Sequence, residues 1–420
     1  MSGITNQSGV LNFSRNDFRL PSLEAFVFSA AGLAILLIGS WVPDDRLNVV
    51  GVPMDIAALC IAVLVSTMGR LQQDAWVKLL LLQAPIMLLL VTLLWSPTPG
   101  IGLEKVTTAL VSASVAFMCF NTVVEKYGER ELAKLLLFYL AVLLAGALIY
   151  KILFGFFNRQ VVFLMNGAIV FARLMCIAAL LALFGLSGRL RKFAVLIFCL
   201  AVLWTESKGP ILALAISLFA AYLYKATPAR RIVFVSVVAA LLVVILSLAN
   251  LYGFDFDDLG RLGVIFALLS GDSQALASSF AYGSAETRMD MWASTIKIIP
   301  QHPMGVGIGG WDYSVDTYWP AEYPHNLFLE LWSEGGIFLG SIAALPFFLF
   351  LFGPKNLFWY IALTLLLAQL LSGDIGDGRF LLTFSFLTLL SQASENPLKR
   401  LDIESAPIVD TSLESSREVT

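Results

Sequence analysis

Long apolar stretches recur along the chain from about residue 24 to residue 391, and short polar segments separate them. Many approach the ~20 residues that a helix needs to cross a bilayer. Because an open sheet edge cannot satisfy its backbone in lipid, the spans must be helices. The pattern predicts twelve spans, at residues 24–41, 50–68, 78–95, 105–121, 132–150, 162–186, 193–205, 210–224, 231–250, 326–352, 357–372 and 379–391.

The composition supports an all-α polytopic membrane protein. Apolar residues make up 58% of the chain and charged residues 14%, whereas soluble domains are nearer ~45–50% and ~25%. The net charge of −3 gives no sign of a nucleic-acid partner. All four cysteines lie in apolar stretches, which is typical of small buried side chains rather than of disulfides or zinc ligands.

The distribution of basic residues predicts the orientation. With the termini inside, the cytoplasmic segments and their flanks hold 14 Lys and Arg, against 6 in the short outer turns. Both termini, residues 1–23 and a polar tail at 392–420 that we expect to be disordered, are therefore predicted to be cytoplasmic. No cleaved signal peptide is expected, because the first twenty residues are polar.

One segment, residues 251–325, is predicted to form a large loop on the outer side of the membrane, between spans 24–250 and spans 326–391. It is acidic, with nine Asp and Glu against three Lys and Arg, a net of −6. Its stretch AETRMDMWASTIKII predicts a helix, which Pro300 should end. In that helix Met289, Trp292, Ile296 and Ile299 recur at helical spacing.

The loop leads into YPHNLFLELWSEGGIFLG, residues 323–340. Asn326, Glu330 and Glu334 recur every four residues and form a polar stripe on an apolar helix, which should face the bundle interior or a wet cavity. Gly335 and Gly336 allow a bend or close packing. His325 can act as a proton acceptor near neutral pH; a hydrogen bond from an interfacial His to a loop carbonyl is the alternative.

Three cations are candidates for function. Lys208, in the turn TESKGP, begins a helix whose N-terminus suits a phosphate, although a snorkelling lysine would also fit. Arg288 suits phosphate or carboxylate, but an ion pair with a neighbouring acid or stacking on Trp292 explains it as well. Arg173, in the middle of a predicted span, should face inward and reach a carboxylate, first Glu334 and then Glu330.

Other motifs are assigned no chemistry. GVGIGG at residues 305–310 fits a dinucleotide fingerprint, yet it lacks the strand and helix context, so its glycines more simply allow a chain reversal. No metal site is predicted, and FDFDD at residues 254–258 is interpreted as a solvated acidic turn rather than a cation site. The aromatic residues between 311 and 323 fit an interfacial belt better than sugar stacking.

The stretch from PQHPMGVGIGGWDYS to YPHNLFLELWSEGGIFLG resembles the O-antigen ligase and polymerase superfamily of bacterial membrane glycosyltransferases. That family pairs "P-x-x-G-x-G" with "HN-x-x-L-E-x-x-x-E-x-G". The matching positions here are Pro303, Gly305 (one residue early) and Gly307, then His325, Asn326, Leu329, Glu330, Glu334 and Gly336. TESKGP resembles the family's "S-R-G" turn, with Lys208 in place of the usual Arg, and TRMDMW resembles its Arg-before-Trp element.

The resemblance implies a GT-C-like architecture and transfer of a glycan from a polyprenyl pyrophosphate carrier at the outer face of the inner membrane. The acceptor would be lipid A-core for a ligase, or a second carrier-linked glycan for a polymerase. It implies neither a cofactor nor a metal. In this reading His325 is the general base, Lys208 and Arg288 bind the diphosphate, and Asn326, Glu330, Glu334 and Arg173 support them.

The short turn at residues 151–161 favours a ligase, while Lys208 favours some other polysaccharide. A transporter or lipid-linked glycan flippase, and a purely structural membrane partner, remain as alternatives of other classes.

Overall fold

The computed structural model describes residues 22–38, 73–156, 163–164, 167–233, 235–236, 285–315 and 323–390. Within these ranges all regular secondary structure is helical. The helices are α1 Leu23–Leu36, α2 Gln73–Met87 with a 3₁₀ extension Leu88–Leu94, α3 Pro99–Tyr127, α4 Glu129–Phe154, α5 Ala168–Gly185, α6 Gly188–Trp204, α7 Lys208–Lys225, α8 Ala285–Gln301, α9 Trp311–Ser314, α10 Leu327–Leu349 with a 3₁₀ extension Phe350–Phe352, α11 Leu357–Ser372 and α12 Gly378–Leu390.

Ten of the twelve predicted spans coincide with helices in the described ranges. Five are long and apolar enough to cross a membrane: α2 with its 3₁₀ extension, α3, α4, α5, and α10 with its extension. The predicted span 50–68 and most of 231–250 lie outside the described residues, as do the FDFDD turn and both predicted tails apart from residues 22 and 23. The total of twelve therefore remains a prediction.

The core of the bundle forms around α5. This helix is rich in alanine and packs against α4, α6, α7 and α11, and small side chains let helix backbones approach closely where apolar burial gives little drive. The neighbouring α11 and α12 are buried along most of their length. Helices α2 and α4 instead expose many apolar side chains, as helices at the lipid boundary do.

The helix predicted from AETRMDMWASTIKII is present as α8, and it ends one residue beyond Pro300. Its buried face differs from the periodic set seen in the sequence. Met291, Thr295 and Ile298 are buried, whereas Met289 and Ile296 are more than half exposed. The two sets both repeat at helical spacing, so the sequence pattern alone did not decide which face packs.

Helix α10 is broken at Gly336, the tenth of its 23 residues. Gly336 has φ 75° and ψ 169°, which interrupts the helical hydrogen bonds. The freed carbonyls of Ser333 and Glu334 accept from the amides of Val306 (2.9 Å) and Gly307 (3.0 Å). Backbone groups inside a membrane protein must be satisfied internally, and here the loop at residues 303–310 does this. The bend expected at Gly335 and Gly336 is confirmed.

The glycines of GVGIGG permit this docking. Gly305, Gly307 and Gly309 all have positive φ, at 78°, 92° and 82°. A Cβ on Gly305 would lie 2.3 Å from the carbonyl oxygen of Glu334, and one on Gly309 would lie 2.7 Å from the amide nitrogen of Gly102. The interpretation of this motif as a chain reversal is confirmed: the loop folds between α10 and the start of α3.

Gly305→Ala should destabilise the protein strongly. The new methyl meets backbone rather than a movable side chain, and left-handed φ alone costs about 1–3 kcal/mol for a residue other than glycine. The measurement is the melting temperature of the purified protein in detergent.

Gly100→Ala is the matched control, since a Cβ there meets nothing within 4 Å and φ is ordinary. Equal melting temperatures for the two variants would contradict this description of the loop.

Candidate functional site

The C-terminal end of α11 gathers side chains from three separate elements. The carbonyl oxygens of residues 370–372 accept hydrogen bonds from Asn326 Nδ2 (2.8 Å), Arg288 Nη1 (3.1 Å) and Arg173 Nη2, in that order. The last carbonyls of a helix lack intrahelical partners and carry its negative end, so they attract cationic donors. Three of the residues singled out in the sequence thus meet at one point.

The start of α7 packs against the same end of α11. A Cβ on Gly209 would lie 3.2 Å from Leu371 Cβ, and Cys176 Sγ of α5 lies 3.5 Å from the carbonyl oxygen of Pro210. Lys208, the first residue of α7, is half-buried, and it forms no salt bridge with any residue that the structure describes. Its ammonium is close enough to Arg288 for the two positive charges to repel each other.

The turn that presents Lys208 is held by its own hydroxyls. Thr205 Oγ1 donates to the carbonyl of Val202 (2.7 Å) and accepts from the amide of Ser207 (3.2 Å). Glu206 between them has φ 52°, in the left-handed region. The first amides of α7, at Lys208 and Gly209, have no partner within the helix, and helix N-termini of this kind favour anions.

His325 also has a left-handed backbone, with φ 54°. Its neighbours are fixed on both sides: Trp292 Nε1 donates to the carbonyl of Pro324 (2.9 Å), and Asn326 caps α10 by accepting from its first amides. The Tyr323 ring meets the imidazole edge to face, with centroids 4.6 Å apart. A strained residue held in this way is frequent at functional sites.

The electrostatic surroundings of His325 are mainly positive. Burial lowers the pKa of the imidazole, Arg288 and Arg173 lower it further, and Asp377 opposes them, with a result of about 4. Nδ1 is buried and has no hydrogen-bond partner among the described residues. The imidazole is therefore neutral at physiological pH.

Arg173 does face inward, as predicted, and it is 3% exposed. Its carboxylate partner is Asp377, with Nη1 2.6 Å from Oδ2, so the predicted partners Glu334 and Glu330 were wrong. The loop at residues 373–377 returns directly from α11 to α12 and brings Asp377 to the same helix end. Burial opposes the ionisation of Asp377, but Arg173 and Arg379 outweigh it and lower the pKa of this carboxyl.

Glu330 and Glu334 have a different cation, Lys105 of α3. Its Nζ lies 2.7 Å from Glu330 Oε1 and 3.5 Å from Glu334 Oε1, and both carboxylates are fully buried. Glu330 also accepts from the amide of Ile375 (2.8 Å). The predicted interior position of the stripe is confirmed, whereas the expectation that these acids orient His325 or hold Arg173 is corrected.

Glu334 also fixes the glycine loop. Its Oε2 accepts from the amide of Gly309 (2.9 Å) and its Oε1 from that of Trp311 (3.4 Å). The stripe therefore joins three segments that are distant in sequence: the loop at 303–310, the start of α3, and the loop at 373–377. The same Lys105 ammonium lies 5.8 Å from the Tyr323 ring centre, so this buried group reaches the surroundings of His325.

Sequence reasoning missed Lys105, Asp377 and Asp374, whose Oδ1 accepts from the amide of Asp377 (2.5 Å). Lys105 is one of the six basic residues assigned to the short outer turns, because its charge was taken to mark the edge of a span, whereas α3 begins six residues earlier at Pro99. Asp374 and Asp377 lie in SGDIGDGR, a short turn with two acids and one arginine between apolar stretches. That concentration of charge was the available signal.

Two other features lie apart from this group of side chains. Among the described residues no three His, Cys, Asp or Glu side chains are arranged to hold a metal ion. A cavity between α1, α3, α4, α5 and α12 is lined only by apolar side chains, among them Leu33, Phe120 and Phe384. None of the polar residues described above lines this cavity.

The fold and the site define a helical membrane protein with a cationic centre and a neutral imidazole at one end of its bundle. Residues 193–344 match the family described as O-antigen ligase, and this match spans α6 to most of α10. The resemblance to the O-antigen ligase and polymerase superfamily is thereby confirmed, and the family indicates a bacterial membrane protein with a glycosyltransferase type of activity. No curated protein matches the chain.

Lys105→Met should destabilise the protein by about 3–5 kcal/mol, because two buried carboxylates then lose their counter-charge. Chemical denaturation of the protein in detergent measures this. Lys126→Met is the control, since Lys126 pairs with Glu24 in an exposed position and its loss should leave stability unchanged. Equal stability of Lys105→Met and wild type would contradict the role given to this ion group.

Proposed function

We propose that this protein transfers a glycan from a polyprenyl (undecaprenyl) pyrophosphate carrier to an acceptor hydroxyl, as an O-antigen ligase acting on lipid A-core. The observation that carries the proposal is that Arg288, Asn326 beside His325, and Gly209 beside Lys208 all contact the end of α11, with Arg288 acting on both His325 and Lys208. These contacts lie within a bundle whose residues 193–344 match the O-antigen ligase family.

The cations suit the leaving group of this reaction. A diphosphate leaves with additional negative charge, and preorganised positive groups stabilise that charge as it develops. Arg288 is already oriented by its hydrogen bond to Leu371, and Lys208 stands beside it without a salt-bridge partner among the described residues. The first amides of α7 add further donors for the phosphate oxygens.

His325 suits the role of general base. The acceptor oxygen forms a bond to the anomeric carbon while the bond from that carbon to the diphosphate oxygen breaks. The acceptor proton passes to the imidazole, and the carrier diphosphate leaves with the electron pair. Direct attack from the face opposite the leaving group inverts the anomeric carbon. A neutral imidazole has the free lone pair that this step requires.

The remaining site residues act as support in this proposal. Asn326 fixes the backbone beside His325 by capping α10 and holding Leu370. Arg173 and Asp377 hold the loop after α11, while Lys105, Glu330 and Glu334 hold the glycine loop against α3. We place the site at the periplasmic face of the inner membrane, with both termini in the cytoplasm.

Polymerisation of a carrier-linked glycan is the second candidate. The feature that favours it is Lys208, which stands where the ligase-like turn usually carries Arg and which lacks a bidentate fork for phosphate. A flippase would need no proton acceptor, so it leaves the position of His325 unexplained.

Reconstitution with a carrier-linked oligosaccharide, and with either lipid A-core or a second carrier-linked glycan, tests the proposal. We expect transfer that persists in EDTA and falls by about 10²–10⁴-fold in His325→Ala, the range that general base catalysis supplies. Lys208→Ala should also lose most of the activity. The measurement is product formation on a gel, and the acceptor that is used distinguishes ligase from polymerase.

Lys126→Ala, an exposed lysine outside this site, is the control and should retain full activity. Unchanged transfer by His325→Ala would remove the assigned base, and a strict requirement for a divalent ion would contradict the proposed chemistry.

A further inference from the structure

The charges that face His325 come from three elements. Arg288 belongs to α8, Arg173 to α5 and Asp377 to the loop between α11 and α12, and each acts on the imidazole. Lys208, at the start of α7, lies within electrostatic reach of Arg288. The Tyr323 ring packs edge to face against the imidazole and carries no charge. Among the described residues the cations therefore dominate.

Among the residues that the structure describes, Asp377 is the only carboxylate that acts on the imidazole, and it is already paired. Asp377 lies 2.6 Å from Arg173 Nη1 and 3.9 Å from Arg379 Nη1, so its charge is shared between two guanidinium groups. No described residue hydrogen-bonds to His325 Nδ1. In serine hydrolases, by contrast, an aspartate bonds to the base and stabilises the imidazolium that forms.

A base in these surroundings is weak. Burial and the two arginines keep the imidazole neutral but lower its pKa to about 4, while proton transfer is most efficient when the pKa of the base lies near the working pH. In these surroundings the His325 imidazole therefore has the right protonation state for a base but too little basicity.

We infer that the carrier diphosphate supplies the missing counter-charge, so that His325 becomes an effective base only while the donor is bound. This inference rests on the proposed function. A diphosphate bound by Arg288 and Lys208 neutralises the cations that oppose protonation of the imidazole. An anion at ~4–6 Å moves such a group by about 1–3 pKa units.

The same interaction resets the site after transfer. While the diphosphate is present, it stabilises the imidazolium that has taken the acceptor proton. When the carrier diphosphate leaves, Arg288 and Arg173 again face a positive imidazole, which gives its proton to solvent. The acceptor hydroxyl is thus activated only when a donor is present to react with it.

NMR of the full-length protein with labelled histidine side chains, in nanodiscs of neutral lipid, tests this inference. The chain has only two histidines, and His302 is exposed, so it serves as an internal reference. His302→Gln assigns the signals. We expect inorganic pyrophosphate to raise the pKa of His325 by about 1–3 units, with the His302 signals the same in both samples. Phosphorus NMR of the same samples reports whether pyrophosphate binds.

Arg288→Gln should raise the pKa of His325 in the absence of pyrophosphate and reduce the shift that pyrophosphate causes. Arg191→Gln, at an exposed position at the start of α6, is the matched control and should behave as wild type.

Pyrophosphate that binds without shifting His325, or that fails to bind, overturns the inference. If the protein gives either of these results and still transfers glycan, the proposed function stands without the further inference. If the shift appears but no transfer occurs with either acceptor, the proposed function fails and the coupling between anion and imidazole remains.

Discussion

The site depends on the carbonyls at the end of α11, which have no hydrogen-bond partners within the helix itself. A helix end inside a membrane protein requires donors from elsewhere in the fold, and here Asn326, Arg288 and Arg173 supply them. Each of these side chains comes from a different part of the chain, so one backbone requirement assembles the group. Neutral carbonyls do not cancel a guanidinium charge, so Arg288 and Arg173 still lower the pKa of His325, although Asp377 pairs with Arg173.

A second requirement of the same kind shapes the neighbouring region. The break in α10 at Gly336 frees two carbonyls, and the glycine loop satisfies them. Buried Glu334 then fixes that loop through the amides of Gly309 and Trp311, while Lys105 balances the charge. Glu330 links this region to the end of α11. It shares Lys105 with Glu334, and it accepts from the amide of Ile375 just beyond α11. The residues that hold the glycine loop therefore also contact the loop that follows α11, next to the candidate site.

Sequence patterns predicted the helices well, but they did not predict which charged side chains pair with each other. Apolar stretches gave α11 as residues 357–372, the same bounds as in the structure, because a continuous apolar helix has a clear beginning and end. The four-residue repeat of Asn326, Glu330 and Glu334 predicted that these side chains share one inward face, and Glu330 and Glu334 are fully buried. The partner of Arg173 was wrong because spacing within one helix says nothing about which distant loop approaches it. Lys105 was missed because a lysine is usually read as the edge of a span, although a paired lysine can lie inside one.

In the proposed mechanism, Lys208, Arg288 and His325 surround one diphosphate at the end of α11. An electron cryomicroscopy map with a donor analogue, in which a methylene group replaces the oxygen between sugar and diphosphate, tests it most directly. The account predicts diphosphate density between Lys208 and Arg288, beside the His325 imidazole. A diphosphate held elsewhere in the bundle, with all three side chains free of contact to it, would contradict the account.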